Sequence, residues 1–544
     1  MRKLPLLAFA MLALAVATAH AQAYKVLFNF GTYSGDTIEP AWSGLFAQAR
    51  DGNLYSTSQA GGSGVGTVVQ LTTDGKEKVL HTFTAAEGRP YGGLTLGLDG
   101  FLYGVTVGGG AVGRGTVYKI ATDGTFTLVH SFNGNTEGDP WYGNTAPIQG
   151  VDGNFYGSVS DGLTTGNYGI IYKMTTAGAM KVLFTFNGTV RYPYGIVQGT
   201  DGNFYGTAGF STAAASNGIV FKITPAGKFT ILHNFLGYPN DGSQPYGQIM
   251  QAADGNFYGT TVRGGKNNLG TFYKMTPAGV VTILHSFDGT LGQFAYAGPI
   301  QATDGKFYGA ADAPSGTIYQ ATSAGGFSSL AKLTGTTGAN PGAHPQIPLF
   351  QHTNGTMYSS TVYGGSGTVM CGTAANCGVF YSLNMGLHPF VALMTTSGKS
   401  GKSIQILGNG LTGTSKVMFG SGAATFKVVS DTYMTAVVPA TGTSGAVVVT
   451  TPSGLRVSSK NFKVLPAITA FTPASGPVGT KVVITGSGLA NTTSVTFGGV
   501  KATAVTVNSG TQVTATVPAG AITGKIKVTT TGGAVSSAGT FTVN

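Results

Sequence analysis

A chain of 544 residues is too long for a single hydrophobic core and calls for several domains. Only 9% of its residues are charged, 88 are glycine and 10% are aromatic. This composition suits short strands joined by glycine turns and argues against both helices and disorder. The formal net charge is +11, but the basic residues stand singly and form no run of the kind that marks a nucleic-acid surface.

Residues 1–21 read as an export signal rather than as part of a fold. Arg2-Lys3 is followed by the mostly apolar stretch Leu4 to Ala17 and the small-x-small site Ala19-His20-Ala21. The apolar run is too short to span a bilayer, and no later segment reaches spanning length. The expectation is a secreted or cell-surface protein starting near Gln22, its charge lowered to +9 by the loss of Arg2 and Lys3.

From residue 51 onward one phrase recurs. It reads Asp51-Gly-Asn-Leu-Tyr55, Asp99-Gly-Phe-Leu-Tyr103, Asp152-Gly-Asn-Phe-Tyr156 and Asp201-Gly-Asn-Phe-Tyr205. It returns as Asp254-Gly-Asn-Phe-Tyr258, Asp304-Gly-Lys-Phe-Tyr308 and Asn354-Gly-Thr-Met-Tyr358, with starts 48 to 53 residues apart. A fixed period of this size marks a propeller or solenoid. Each period holds four strand-like runs divided by Asp-Gly and Ala-Gly turns, which is the content of a propeller blade. The third run recurs as Gly115-Thr-Val-Tyr-Lys-Ile120 and Gly270-Thr-Phe-Tyr-Lys-Met275, the fourth as Lys78-Val-Leu-His-Thr-Phe83 and Ile283-Leu-His-Ser-Phe287.

Seven turns predict seven blades over residues 22–385. The last unit lacks a clear fourth strand. Lys25-Val-Leu-Phe-Asn-Phe30 matches the missing run and would close the ring; His388-Pro-Phe-Val-Ala392 is the competing candidate. Closure would remove exposed sheet edges. Cys371 and Cys377 are the chain's two cysteines and are expected to pair within one loop of an exported protein.

The period stops near residue 385. Two units of about 78 residues follow, over 386–465 and 466–544. Ser400 to Leu411 aligns with Val478 to Leu489, and Met434-Thr-Ala-Val-Val-Pro439 with Gln512-Val-Thr-Ala-Thr-Val-Pro518. Short alternating strands at this spacing predict two β-sandwiches. On Pro473-Ala-Ser-Gly-Pro-Val-Gly479, Ile484-Thr-Gly-Ser-Gly-Leu489 and Val495-Thr-Phe-Gly-Gly499 they resemble IPT/TIG domains of the immunoglobulin-like class. The upstream units, on Asp-Gly-Asn-Phe-Tyr-Gly, Gly-Thr-Val-Tyr-Lys-Ile and Leu-His-Ser-Phe, resemble the "GloVer" tandem repeat of exported bacterial proteins. The resemblances imply no settled activity; TIG domains on exported proteins imply binding, adhesion or spacing.

The expected fold is therefore all-β, a seven-bladed β-propeller followed by two immunoglobulin-like sandwiches. An aromatic residue precedes each first strand: Trp42, Tyr91, Tyr142, Tyr194, Tyr246 and Tyr296, with Pro345-Gln-Ile347 in the seventh unit. These residues are expected either to ring one mouth of the channel, where aromatic faces bind sugars, or to pack between blades. Glu39, Glu87, Glu137, Asp139 and Asp241 flank the same connections and are the candidates for glycoside cleavage. His81, His130, His233 and His285 stand at one equivalent position on different blades, which keeps them from converging on one metal ion. No metal site and no cofactor is expected. Gly398-Lys-Ser400 and Gly401-Lys-Ser403 lack the earlier glycine of a phosphate loop. The reading is a non-catalytic recognition or adhesion protein whose partner is a polysaccharide or a cell-surface protein, with no nucleic acid and no membrane span. The alternatives are a carbohydrate-active enzyme at the channel mouth and a structural matrix component.

Overall fold

The structure, a computed structural model, describes residues 23–33, 35–40, 45–133, 146–160, 168–186, 190–211, 217–312, 314–371 and 374–544. They form an all-β chain, and among them no helix is long and apolar enough to cross a membrane.

Residues 23–384 build seven antiparallel sheets of four or five strands. The fifth is typical, running Met250–Gln251, Phe257–Thr261, Thr271–Met275 and Val281–Ser286 in spatial as in chain order. The seventh takes its outer strand from the other end of the chain: Ala23–Asn29 pairs antiparallel with Val379–Asn384. Residues 388–392 belong elsewhere. Val391 bridges Ser458, and Ala392–Leu393 pairs with Ser403–Leu407. Cys371 and Cys377 are joined by a disulfide in the seventh sheet's long loop.

Every letter of the recurring phrase has a local cause. Gly52 and its six counterparts have φ between +81° and +93°, a conformation that costs glycine nothing. The Asp51 carboxylate accepts the Asn53 N–H at 3.1 Å, the Asn53 amide at 2.8 Å and the Tyr55 hydroxyl at 2.6 Å. The tyrosine ring stacks on the phrase phenylalanine of the next sheet, as in Tyr156–Phe204 at 4.0 Å and Tyr205–Phe257 at 4.1 Å. A glycine then faces a third-strand ring. A Cβ on Gly104, Gly157, Gly259 or Gly309 would lie 2.3–2.5 Å from the hydroxyl of Tyr118, Tyr172, Tyr273 or Tyr319. The repeat thus encodes both the hairpin and the seam to its neighbour.

The core follows from that seam. It is divided into seven clusters, each between two consecutive sheets, and one joins the seventh to the first through Phe30, Phe46, Leu54 and Phe380. Glutamines at the end of the innermost strands add a polar stitch. Gln149, Gln198, Gln251, Gln301, Gln351 and Gln48 each accept a backbone N–H from the turn of the preceding sheet, at 2.7–3.1 Å. The second sheet has Leu96 at this place. There the Arg50 guanidinium donates to the Leu98 carbonyl at 2.8 Å and to Gln405 at 2.7 Å, and Gln405 itself donates to Leu98 at 2.7 Å.

Gln405 belongs to the first of two C-terminal sandwiches, whose separate apolar cores are built around Ile406, Phe419, Met434 and Phe462, and around Ile484, Phe497, Val513 and Phe541. The first sandwich rests on the turn side of the sheets. The Thr432 hydroxyl donates to the Arg50 carbonyl at 2.6 Å, Thr353 donates to the Gly408 carbonyl at 2.8 Å, and Lys463 reaches the Thr200 carbonyl of the fourth sheet. These contacts span turns of the first, second, fourth and seventh sheets, so the sandwich lies across that end of the ring.

Candidate functional site

The opposite end is built from the connections that enter each innermost strand and from the loops between second and third strands. The entering chain is pinned by a hydroxyl two residues after the phrase tyrosine of the preceding sheet. Thr57 accepts the Gly93 N–H at 3.2 Å, Ser158 donates to the Tyr194 carbonyl at 2.9 Å, and Thr260 donates to the Ala297 carbonyl at 3.0 Å. Two residues before the aromatic position, Tyr192, Gln244, Phe294 and His344 have φ of 54–57°. For non-glycine residues this conformation is strained, and such strain gathers at functional sites.

These entries bring the expected aromatics together. Tyr91, Tyr194, Tyr246 and Tyr296 are all half-buried. The rings of Tyr194 and Tyr246 lie 5.0 Å apart, and those of Tyr246 and Tyr296 are stacked at 6.3 Å. Gly209 makes the first pair possible, since a Cβ there would come within 2.7 Å of both rings. Burial first, then the neighbouring Tyr246, Tyr91 and Tyr192, holds the Tyr194 phenol far above its ordinary range. Tyr194, Tyr246 and Tyr296 therefore form a run of neighbouring aromatic rings. Trp42 and Tyr142 lie outside the described residues.

The seventh sheet places Gln346 in the aromatic column. Its amide donates at 2.8 Å to Asp312, whose other oxygen lies 2.9 Å from His344 Nδ1. Asp312 also raises the Tyr296 phenol, after burial itself. The sequence marks Gln346 as the seventh unit's departure from the aromatic column, but carries no signal for Asp312 or His344, which reach it from other positions in the chain.

The flanking carboxylates serve the loops. Asp241 accepts the Leu236 and Gly242 N–H groups at 2.9 and 2.7 Å and lies 2.9 Å from His233 Nε2. Despite the cost of burial, these partners hold its carboxyl below the usual range. Glu87 pairs with His81 at 3.3 Å and caps Thr84. Glu137 and Asp139 lie outside the described residues, as does the side chain of Glu39. Where the chain closes, the pattern breaks. Phe28 stands in the position of the histidine, Glu77 in that of Phe126, and Asp36 reaches the same place. Burial and Glu77 push the Asp36 carboxyl up to about 7. The repeat histidines are packing residues: His81 stacks on Phe126 at 4.5 Å and His285 on Phe327 at 3.9 Å, while His130 Nδ1 lies 3.1 Å from the Gly178 carbonyl. Among the described residues, no three His, Cys, Asp or Glu side chains gather in a way that could hold a metal ion.

The model of the Gloeobacter/Verrucomicrobia repeat matches residues 14–146 and 142–370. The chain belongs to this repeat family. Residues 389–464 and 466–543 match the IPT/TIG domain. No curated protein matches the sequence. Among solved structures, a surface glycan-binding protein from Prevotella bryantii is similar at 19% identity and a TM-score of 0.21; the match covers 27% of this chain and 38% of that one. A fungal copper alcohol oxidase is similar at 14% identity and a TM-score of 0.45, over 82% of this chain and 99% of that one. A manganese-bound oligogalacturonate lyase stands at 12% and 0.44, over 66% and 97%. Scores this low carry nothing about the function of the repeat protein.

Proposed function

We propose that this repeat protein is an exported, non-catalytic recognition protein, and that the tyrosine-lined end of a closed seven-bladed ring binds a glycan. The carrying observation is the half-buried row of neighbouring rings of Tyr194, Tyr246 and Tyr296. Flat aromatic faces with hydroxyls at their edges suit the apolar faces and the hydroxyl rims of sugars. The TIG pair fits the role of base and spacer, since its first member occupies the other end. Residues 1–21 fit export to the cell surface or beyond.

A glycan array on the chain from residue 22 onward, beside the Tyr194→Ala/Tyr246→Ala double variant, tests this reading. Each ring contact is worth about 0.5–1.5 kcal/mol, so the two together amount to about tenfold in affinity. Binding of the double variant equal to the parent, with an unchanged melting temperature, would overturn the site. Polysaccharide turnover by the purified protein would overturn the non-catalytic reading.

A further inference from the structure

The connection from the fourth to the fifth sheet carries two strongly exposed apolar side chains. Leu236 is 74% exposed and Tyr238 62% exposed. Across from them, Arg263–Gly264 pairs antiparallel with Gly242–Ser243, which places Arg263 opposite Ser243. Between the two runs lies a polar cleft of about 470 Å³, lined among others by Asn217, Tyr238, Gln244, Arg263 and Asn268. Gln244 is two residues from the wall tyrosine Tyr246, so the cleft adjoins the proposed glycan surface.

Arg263 is unusual in sequence and in surroundings. It fills the variable position of Thr261-Val-Arg-Gly-Gly265, where the second and seventh sheets have Gly108 and Tyr363. Its guanidinium lies 4.3 Å from the centre of the Phe294 ring. Among the described residues no carboxylate pairs with it, although the side chain is exposed. A guanidinium fixed on an aromatic face keeps its N–H fork free for a planar anion such as a carboxylate.

The rest of the cleft offers hydrogen bonds. Asn217 Oδ1 accepts the Ser243 hydroxyl at 3.0 Å, and Asn268 Oδ1 accepts the Gly264 N–H at 2.9 Å. Among the described residues neither amide nitrogen has a hydrogen-bond acceptor, so both can serve an outside one. The walls are already in place. The Gln244 N–H donates to the Asn217 carbonyl at 2.8 Å, that of Val262 to Gln244 at 3.0 Å, and that of Gly265 to Asp241 at 2.8 Å. A preformed cleft saves the ordering cost of binding.

We propose that this cleft binds an acidic polysaccharide of the uronate type. The sugar carboxylate sits on the Arg263 fork, the ring lies against Tyr238, and the hydroxyls meet the amides of Asn217, Gln244 and Asn268. The proposal rests on the reading of the adjoining tyrosine wall as a glycan surface. The net positive charge, +11 for the full chain and +9 from residue 22 onward, favours anionic partners in general; the cleft gives that attraction an address.

Calorimetry with hexamers of galacturonate and mannuronate, and with neutral cellohexaose and xylohexaose, at 50 and 200 mM NaCl, tests it. The uronates are expected to bind the parent protein and to weaken as salt rises. Arg263→Gln is expected to cost about tenfold or more in uronate affinity, the usual worth of a charge-assisted pair, and to leave neutral binding unchanged. Tyr194→Ala/Tyr246→Ala tests the wall separately, through the neutral hexamers. Uronate binding by Arg263→Gln equal to the parent overturns the proposal, as does neutral binding without uronate binding. Equal affinity for polyglutamate overturns it as well, by reducing the site to bulk charge. If no hexamer binds, both readings fall.

Discussion

On the turn side of the ring, the same few residues close the hairpins in the same way. Asp51, Asp152, Asp201 and Asp254 each hold an asparagine N–H and a tyrosine hydroxyl, and a TIG domain lies over the turns. On the other side the connections differ in length, six of the described non-glycine residues are held at positive φ, and Leu236, Tyr238 and Arg263 face solvent. Repetition has gone into stability at one end and variation into surface chemistry at the other. The two ends therefore respond to substitution in different ways: the turn side through folding, the connection side through binding and pH.

The largest effect is expected at Arg50. Six sheet junctions are stitched by a glutamine, and the seventh, at Leu96, is bridged by Arg50 and by Gln405 of the TIG domain. Arg50→Ala removes two charged hydrogen bonds and the guanidinium that lies 4.8 Å from the Tyr433 ring centre. The expected cost is about 2–4 kcal/mol in urea unfolding. Gln251→Ala, at an ordinary junction, is expected to cost only about 1 kcal/mol. If the two costs are equal, the TIG domain does not lock the ring at its odd junction.

The period of the phrase, the strand content of each unit and the two TIG units were legible in the sequence, because each rests on local chemistry: a turn glycine, an alternation, a carboxylate four residues from a tyrosine. The outer strand Lys25 to Phe30 was legible for the same reason, as a copy of Lys78 to Phe83. What could not be read was placement across the ring. The aromatics before the first strands are alike in sequence whether they face a channel or a neighbouring sheet. Only their distances show that Tyr194, Tyr246 and Tyr296 lie ring beside ring. Leu96 looked like any strand residue until its junction was seen to borrow Gln405 from a domain about 300 residues away.

Two carboxylates on the connection side differ through two changes in the residues around them. Asp241 has His233; Asp36 has Phe28 and Glu77 instead. The Asp36 pKa is raised in the fold, so its burial costs nothing near pH 4 and costs in full above about pH 7. Asp36→Asn is expected to raise the melting temperature at pH 8 by about 2–4 °C, the worth of ~1 kcal/mol in a unit of this size, and to do little at pH 4. The Asp241 pKa is lowered, so its contribution is present above the unfolded value and is lost as pH falls through the folded one. Asp241→Asn is thus expected to lower stability at pH 8. A loss for both variants at pH 8 would show that Phe28 is not what separates them.

A smaller effect of the same kind sets the two faces against each other within eight residues. His352, on the turn side, donates from Nε2 to the Gly52 carbonyl at 2.8 Å and accepts the Asn354 N–H on Nδ1 at 3.1 Å. The bond accepted on Nδ1 needs the neutral ring, and burial holds its pKa below 6.5. The stability it supplies is present above 6.5 and falls away as the solution is acidified. His344, on the connection side, is held above 6.5 by its hydrogen bond to Asp312. Its contribution is full below 6.5 and is lost as pH rises through the raised value. His352→Gln should therefore cost more at pH 8 than at pH 5.5, and His344→Gln more at pH 5.5 than at pH 8. Melting curves of both variants at the two pH values give the test. If the two variants lose stability with the same pH trend, the faces are not electrostatically opposed, and the division between a neutral, hydrogen-bonded turn side and an ion-paired connection side fails at these residues.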